Sequence, residues 1–290
     1  MKNKKFTSIS TILFVILALY TLILAYHFIW GLLTSLKDYE DYLYNPLSLP
    51  EGGIANWKWD NYAYVFQKFA VKIGGKQFEL PEILLNTVIY VVLGSFICTI
   101  VPYVVAYVTA RYNFWFCKVI NAFVIVVIAL PIVGGTPAVI SVLNTLNLYD
   151  SFFGAMLLKF SFLNMYYLVF FAAFQNLPRE YQEAAEIDGA GELAVMIKIM
   201  FPMAYKAFLT VFLIFFVDLW NDYQGPILYL YSYPVLARGV YNITNNYAGE
   251  FSKTPIMLCA CMMLFVPIMI IFSIFSKQLM GNISMGGLKE

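Results

Sequence analysis

Four stretches of this chain run for more than twenty residues without an Asp, Glu, Lys or Arg; three of them, Phe6 to Leu36, Ile83 to Ala110 and Thr254 to Ser276, are unambiguous, and the fourth, Val119 to Tyr149, is interrupted by a cluster of prolines and glycines. A helix crossing the hydrocarbon core of a bilayer needs about 20 mostly apolar residues, so each of those three can span alone. A β-barrel would instead show roughly ten-residue segments of alternating polarity, whereas Ile12 to Ala25 and Leu258 to Phe272 are almost continuously apolar. Of the 290 residues, 61% are hydrophobic and 12% charged, about half the charge of an ordinary soluble domain. So little polar surface cannot cover a water-exposed fold. The expectation is an all-α, polytopic membrane protein. A net charge of +1 with no basic run longer than two residues excludes a nucleic-acid binder, and the same composition excludes a disordered chain or a disulfide scaffold.

Weaker stretches bring the set to six spans, at about 11–35, 84–110, 119–143, 152–174, 208–230 and 254–276, in one transmembrane domain covering 1–290. The third holds Pro131, Gly134, Gly135 and Pro137, which predicts a helix kinked or loosened near its outer third. The fourth carries Lys159; the fifth carries Asp218 and Asp222. The first follows Lys2, Lys4 and Lys5, as a signal peptide would, but its apolar run is about twice an ordinary h-region and lacks a small-residue cleavage site, so it reads as a retained anchor. Six spans put both termini on one side. That side has ten Lys and Arg against seven on the other, five of those seven in the single long loop 37–82. The bias places both termini in the cytoplasm. Cys98, Cys117, Cys259 and Cys261 lack metal-ligand spacing and companion histidines, so they read as packing residues and no metal site is expected.

The external loop 37–82 carries Trp57, Trp59, Tyr62, Tyr64, Phe66 and Phe69 far from the span ends, which favours a small folded lobe over an interfacial belt. A second external loop, Tyr231 to Lys253, is polar, with Asn242, Asn245, Asn246 and Tyr247. On the cytoplasmic side 175–207 stands apart: Gln175 to Tyr205 is too polar to span and too patterned for a linker. Pro178 suits a first helical position, Glu180, Glu183 and Glu186 recur every three residues beside Ala184 and Ala185, and Gly189 and Gly191 break the helix. Leu193, Met196, Ile197 and Met200 then follow amphipathic spacing until Pro202. This helix, turn, helix unit suits docking into a partner's cleft, with an amphipathic connector lying on the membrane as the alternative, although such connectors usually have a basic polar face.

At these residues the chain resembles the inner-membrane permease subunits of ATP-binding cassette importers, whose cytoplasmic loop reads EAA, three residues, G, nine residues, I, one residue, LP. Glu183, Ala184, Ala185, Gly189, Ile199 and Pro202 stand in register, with Phe201 in place of Leu. Within that family it is similar to the second permease of the maltose type, through Leu177 and Pro178 before the loop, Ile187, Asp188 and Ala190 within it, the Trp220 and Asn221 pair, and the tail of Gly281, Gly286, Gly287, Leu288 and Lys289. The resemblance covers roughly Ile83 to Glu290. It implies a heterodimer with a second permease subunit, a cytoplasmic ATPase dimer, an external solute-binding protein, and a sugar or oligosaccharide as cargo, in a bacterial plasma membrane. Glu183, Ala184, Ala185, Asp188, Gly189 and Gly191 would then couple to the ATPases, and the tail from Gly286 could reach them too. No GxxxxGK[ST] occurs in the chain, so ATP hydrolysis is expected of the partners, no cofactor is expected, and this chain is not expected to be an enzyme.

Ionisable groups at membrane depth usually face a cavity or the bundle interior. Asp218, Asn221 and Asp222 fall at i, i+3 and i+4, on one face of the fifth span, where they either hydrogen-bond sugar hydroxyls or make polar contacts with a neighbouring span. Asn164 is a further pathway candidate, and Lys159 either snorkels to the headgroups or pairs with a carboxylate. A non-sugar solute on the same architecture is the strongest alternative. An ion-coupled secondary transporter would need repeats that the two halves do not show. Histidine-based membrane catalysis would have only His27 to work with.

Overall fold

The computed structural model describes residues 8–130, 134–245 and 249–283. The expectations placed on Lys2, Lys4, Lys5, Pro131, Asn246, Tyr247 and the tail from Gly286 lie outside them. In chain order the fold runs through α1 (Ser8–Ser35), α2 (Tyr39–Tyr44), α3 (Asp60–Lys68), a hairpin of β1 (Ala70–Ile73) and β2 (Lys76–Glu79), α4 (Leu80–Arg111), α5 (Trp115–Ala129), α6 (Thr136–Thr145), α7 (Phe152–Leu157), α8 (Met165–Gln175), α9 (Glu180–Ile187), α10 (Glu192–Val195), α11 (Phe201–Met203), α12 (Tyr205–Trp220), α13 (Gln224–Tyr229), α14 (Leu236–Asn245) and α15 (Thr254–Ile283).

Among the described residues three helices are long and apolar enough to cross a membrane alone, Ile9–Ser35, Leu80–Arg111 and Thr254–Ser276. They correspond to the three uninterrupted uncharged stretches. The other expected spans are divided. Over 119–143 the kink is a full interruption: α5 stops at Ala129 and α6 starts at Thr136 with Pro137 in its first turn. Over 152–174 the chain leaves the helix after Leu157 and re-enters at Met165. Short polar side chains capture local backbone there: Ser161 Oγ accepts from Leu163 N–H, and Asn164 Oδ1 from Tyr166 and Tyr167 N–H. Over 208–230, α12 ends at Trp220 and α13 begins at Gln224, the Asp222 carboxylate accepting from Gly225 N–H at 2.8 Å.

The chain forms two compact units. One comprises the residues up to Ala70 together with Val240–Val266. In it α1 packs on the first part of α15, with Phe28 and Phe265 ring centroids 4.3 Å apart and Cys259 Sγ 3.3 Å from Ser35 O. The side chains from Ile12 to Leu17 of α1 stand exposed around the whole helix, as suits a segment covered by lipid. The loop after α1 folds as a lobe around the buried Lys37, whose Nζ donates to Asn45 O (2.6 Å) and Ser48 Oγ (2.8 Å) and lies 3.5 Å from Asp41. Val65 and Phe69 are fully buried beneath α3.

The second unit comprises Val71–Gly239 and the residues from Pro267. Its axis is α4, which packs against α8 and α12. One buried cluster runs through Tyr103, Tyr107, Tyr167, Phe170, Phe174, Ala185, Val195, Met200 and Val211, so α4, α8 and α12 share a core with the polar 175–204 segment.

Candidate functional site

Two sites emerge in the second unit, and the 175–204 segment is the first. Arg179 O accepts from Gln182 and Glu183 N–H at 2.9 and 3.0 Å, opening α9 two residues after Pro178. The helix closes on Gly189, φ +81°: Gly189 N–H bonds Glu186 O (3.1 Å) and Ala190 N–H bonds Ala185 O (2.9 Å). Together these bonds form a Schellman turn, which needs a left-handed residue at this position. No atom lies within 4 Å of where a Gly189 Cβ would sit; the requirement is conformational rather than steric. Gly191 is different, extended at φ −71° as the cap of α10.

Of the motif's residues only Ala185 is buried, and it packs into the shared core. Glu183, Ala184 and Asp188 are exposed beside Ile187 (86% exposed), Leu193 (71%) and Ile197 (58%). Of the apolar stripe on Leu193, Met196, Ile197 and Met200, Met200 is buried and Met196 packs against the core, whereas Leu193 and Ile197 are exposed. Val195, outside that stripe, is buried as well. Met196–Met200 is a π turn in which Phe201 N–H bonds Met196 O, five residues back, and the extra residue rotates the register. Pro202 follows directly, its missing N–H leaving Lys198 O without the usual helical donor. The chain then bends by 73° into α12.

The Leu-to-Phe departure at Phe201 has a physical account. The Phe201 ring lies 4.5 Å from that of Tyr103 and 6.1 Å from that of Phe174, and Tyr103 Oη donates to Phe201 O at 2.8 Å. Tyr103 also meets Phe170 and Phe174 at 4.9 Å and Phe208 at 5.1 Å. One ring on α4 thus gathers α8, α11 and α12. Arg111 adds a bond from Nη2 to Leu177 O at 3.0 Å, tying the end of α4 to the segment's entry.

The second site lies where α12 stops. The helix ends at Trp220, and Asp218, Asn221 and Asp222 stand together around that end. Asp222 turns inward, its Oδ2 accepting from Tyr90 Oη at 2.7 Å and lying 3.9 Å from Lys159 Nζ. Of the alternatives for Lys159, pairing with a carboxylate is the one observed. Asp218 and Asn221 are exposed and, with Asp222, Tyr223 and Gln224, line an open cleft of about 400 Å³. On the other side of Asp222 a cavity of about 300 Å³ is lined by Tyr90, Val139, Ala155, Leu158, Lys159, Gly225 and Tyr229. Asn164 is not brought to this group: its side chain bonds Ser161 O and the N–H groups of Tyr166 and Tyr167 within its own segment. Tyr90 and Gly225 escaped the sequence reading. A Gly225 Cβ would lie 2.8 Å from Tyr90 Oη and closer still to Asp222 Oδ2, so the cluster requires glycine there. The available signal was a cation and an anion, each inside its own apolar stretch, with Gly225 and Pro226 just beyond the anion.

Comparison with known proteins gives a consistent picture. The diacetylchitobiose uptake system permease protein NgcG of Streptomyces coelicolor is 26% identical over 98% of this chain and 89% of its own length. The sulfoquinovosyl glycerol transport system permease protein SmoH of Agrobacterium fabrum is 25% identical over 90% of this chain and 87% of its own. A chain in the crystal structure of a bacterial ABC transporter involved in the import of the acidic polysaccharide alginate superposes with a TM-score of 0.77, covering 96% of this chain and 98% of that one at 19% identity. That likeness establishes the fold. The family described as binding-protein-dependent transport system inner membrane component matches residues 100–283, well over half of the chain. The protein belongs to that family, and is a membrane-embedded transport subunit rather than an enzyme.

Proposed function

We propose that this chain is one of two permease subunits of an ATP-binding cassette importer that carries an oligosaccharide delivered by an external solute-binding protein and is driven by a cytoplasmic ATPase dimer. The observation that carries this reading is the 175–204 segment, a Schellman turn at Gly189 flanked by exposed carboxylates and by Ile187, Leu193 and Ile197, and rooted through Ala185 in the core of the span helices. Exposed large apolar side chains on a polar segment mark a docking surface. Glu183, Ala184, Asp188 and Gly191 form the docking face, while Ala185 and Gly189 set its angle. Movement of the docked turn reaches α4, α8 and α12 through Tyr103.

The arrangement has six membrane crossings, three of them broken helices, with both termini cytoplasmic in a bacterial plasma membrane and the 37–82 lobe external. Broken helices at membrane depth are tolerated where protein or a water-filled cavity covers the freed backbone, and the exposed Asp218 and Asn221 beside Asp222 suit such a pathway, with Asn164 at the α8 entry. The carbohydrate assignment rests on what the relatives NgcG and SmoH are named for. Purification of the tagged chain in mild detergent, followed by mass spectrometry, tests the assembly. An ATPase and a second permease should co-purify. A chain that elutes alone and moves solute in liposomes without ATP would overturn the reading.

A further inference from the structure

Lys159 is held unlike the buried cations Lys37, Arg111 and Arg238, each of which donates to a backbone carbonyl. Lys37 Nζ donates to Asn45 O and Ser48 Oγ within 2.8 Å, whereas Lys159 Nζ has, among the described residues, no partner within hydrogen-bond distance. Its neighbours are Asp222 Oδ2 at 3.9 Å and the face of the Tyr90 ring at 5.2 Å. Asp222 does not depend on it. Oδ2 already accepts from Tyr90 Oη and Oδ1 from Gly225 N–H, so both carboxylate oxygens are satisfied without the ammonium. The three donors of Lys159 are thus unspent, and the side chain lines the 300 Å³ cavity with Tyr90, Tyr229 and the Gly225 backbone.

From this we infer that Lys159 is the anchoring cation of a solute subsite, and that the solute it takes carries an anionic group, a carboxylate or sulfonate on a sugar ring. An ammonium with open donors in a partly enclosed cavity is matched by an anion through short charge-assisted hydrogen bonds. In the empty site Asp222 supplies the counter-charge. When the anionic group enters, Lys159 exchanges a 3.9 Å ion pair for direct hydrogen bonds, while Asp222 keeps Tyr90 and Gly225 as partners and stays in place. Tyr229, which is half-buried, lines the same cavity beside the space a sugar ring would take, while Tyr90 is buried and holds Asp222. A neutral oligosaccharide would leave the ammonium with hydroxyl partners only. This subsite rests on the importer reading and narrows its cargo to acidic carbohydrates.

The test uses the full complex in proteoliposomes with its binding protein, and two probes of equal length, trigalacturonate and its fully methyl-esterified form. Uptake of each by a variant is divided by uptake of the same probe by the native complex, which cancels the selectivity of the binding protein. For Lys159→Met the ratio for the acid should fall about tenfold or more below the ratio for the ester, and Lys159→Arg, which keeps the cation, should restore most of the difference. Equal losses for both probes, or no loss for either, would overturn the subsite while leaving the importer reading standing. An assembled, ATP-hydrolysing complex that moves neither probe nor any other carbohydrate would instead sink the importer reading and the subsite with it.

Discussion

The 175–204 segment and the Tyr90, Lys159, Asp222 cluster solve opposite problems with the same kinds of residue. The segment displays its carboxylates: Glu183, Glu186 and Asp188 are exposed, and its shape comes from backbone geometry at Gly189 and from apolar packing on Tyr103. The cluster turns its carboxylate inward and fixes it with three different elements, Tyr90 of α4, Lys159 between α7 and α8, and the Gly225 amide of α13. Charge that faces a partner protein can stay in water until docking, whereas charge at membrane depth needs a partner in its own chain. In the first, the turn itself is local in sequence and only its packing reaches to Tyr103. The second joins residues as far apart as Tyr90 and Asp222.

Substitutions can break or sharpen this contrast. The largest expected effect lies under the segment: Tyr103→Ala removes a ring that meets four others within 5.1 Å and should cost about 3–5 kcal/mol of stability, read as a fall in the detergent melting temperature. Tyr103→Phe keeps the packing, loses only the bond to Phe201 O, and should cost about 1 kcal/mol. In the cluster, Asp222→Ala leaves Tyr90 Oη and Lys159 without their partner. Since both charged side chains retain 22% exposure, about 2–3 kcal/mol is expected, below the loss for a fully enclosed pair. A negligible change in melting temperature would show that the cluster is not an enclosed structure at all.

Exposed charges set the lower end of the scale. Glu183→Gln should move stability by less than about 0.5 kcal/mol while weakening ATPase co-purification, which separates docking from folding. The surface pair Asp38–Lys58, 2.9 Å apart, should matter least. The hydrogen bond from Lys58 holds the Asp38 carboxyl below its ordinary value, and the same bond raises Lys58. Its contribution is therefore complete above about pH 4, is lost as pH falls through the lowered Asp38 value, and at the alkaline end is lost only as pH rises through the raised Lys58 value. Thermal scans of native and Lys58→Met protein should differ slightly at pH 5 and converge as pH falls through the lowered Asp38 value.

How far the sequence could be read follows the same division. Uncharged length located α1, α4 and α15, because hydropathy over twenty residues is a sufficient cause of a membrane helix. The Gly189 turn was legible because a Schellman closure is local. The break over 119–143 was legible in its prolines and glycines; those over 152–174 and 208–230 were not, because hydropathy sums composition and ignores continuity: Asn164 and Asp222 were read as pathway polar groups on unbroken helices, while their side chains accept from the backbone where α8 and α13 begin. The amphipathic spacing of the second short helix located Met200 but not Val195 as its buried side chains, because a π turn over Met196–Met200 brings residues five apart to one side, which a 3.6-residue period does not anticipate. Tyr103 is one of 22 tyrosines, and only tertiary packing distinguishes it.

The central claim is that the backbone of the Gly189 turn, rather than any side chain it excludes, transmits motion between ATPase and spans. Its direct test is ATP-driven uptake by reconstituted complexes carrying Gly189→Val or Gly189→Asn, alongside solute-stimulated ATP hydrolysis. A β-branched residue in the left-handed region is strained by about 1–2 kcal/mol, whereas asparagine visits that region readily. The account predicts that Val uncouples hydrolysis from uptake while Asn retains the larger share of coupling. Equal coupling in Val and native complexes, or equal loss in Val and Asn, would contradict it.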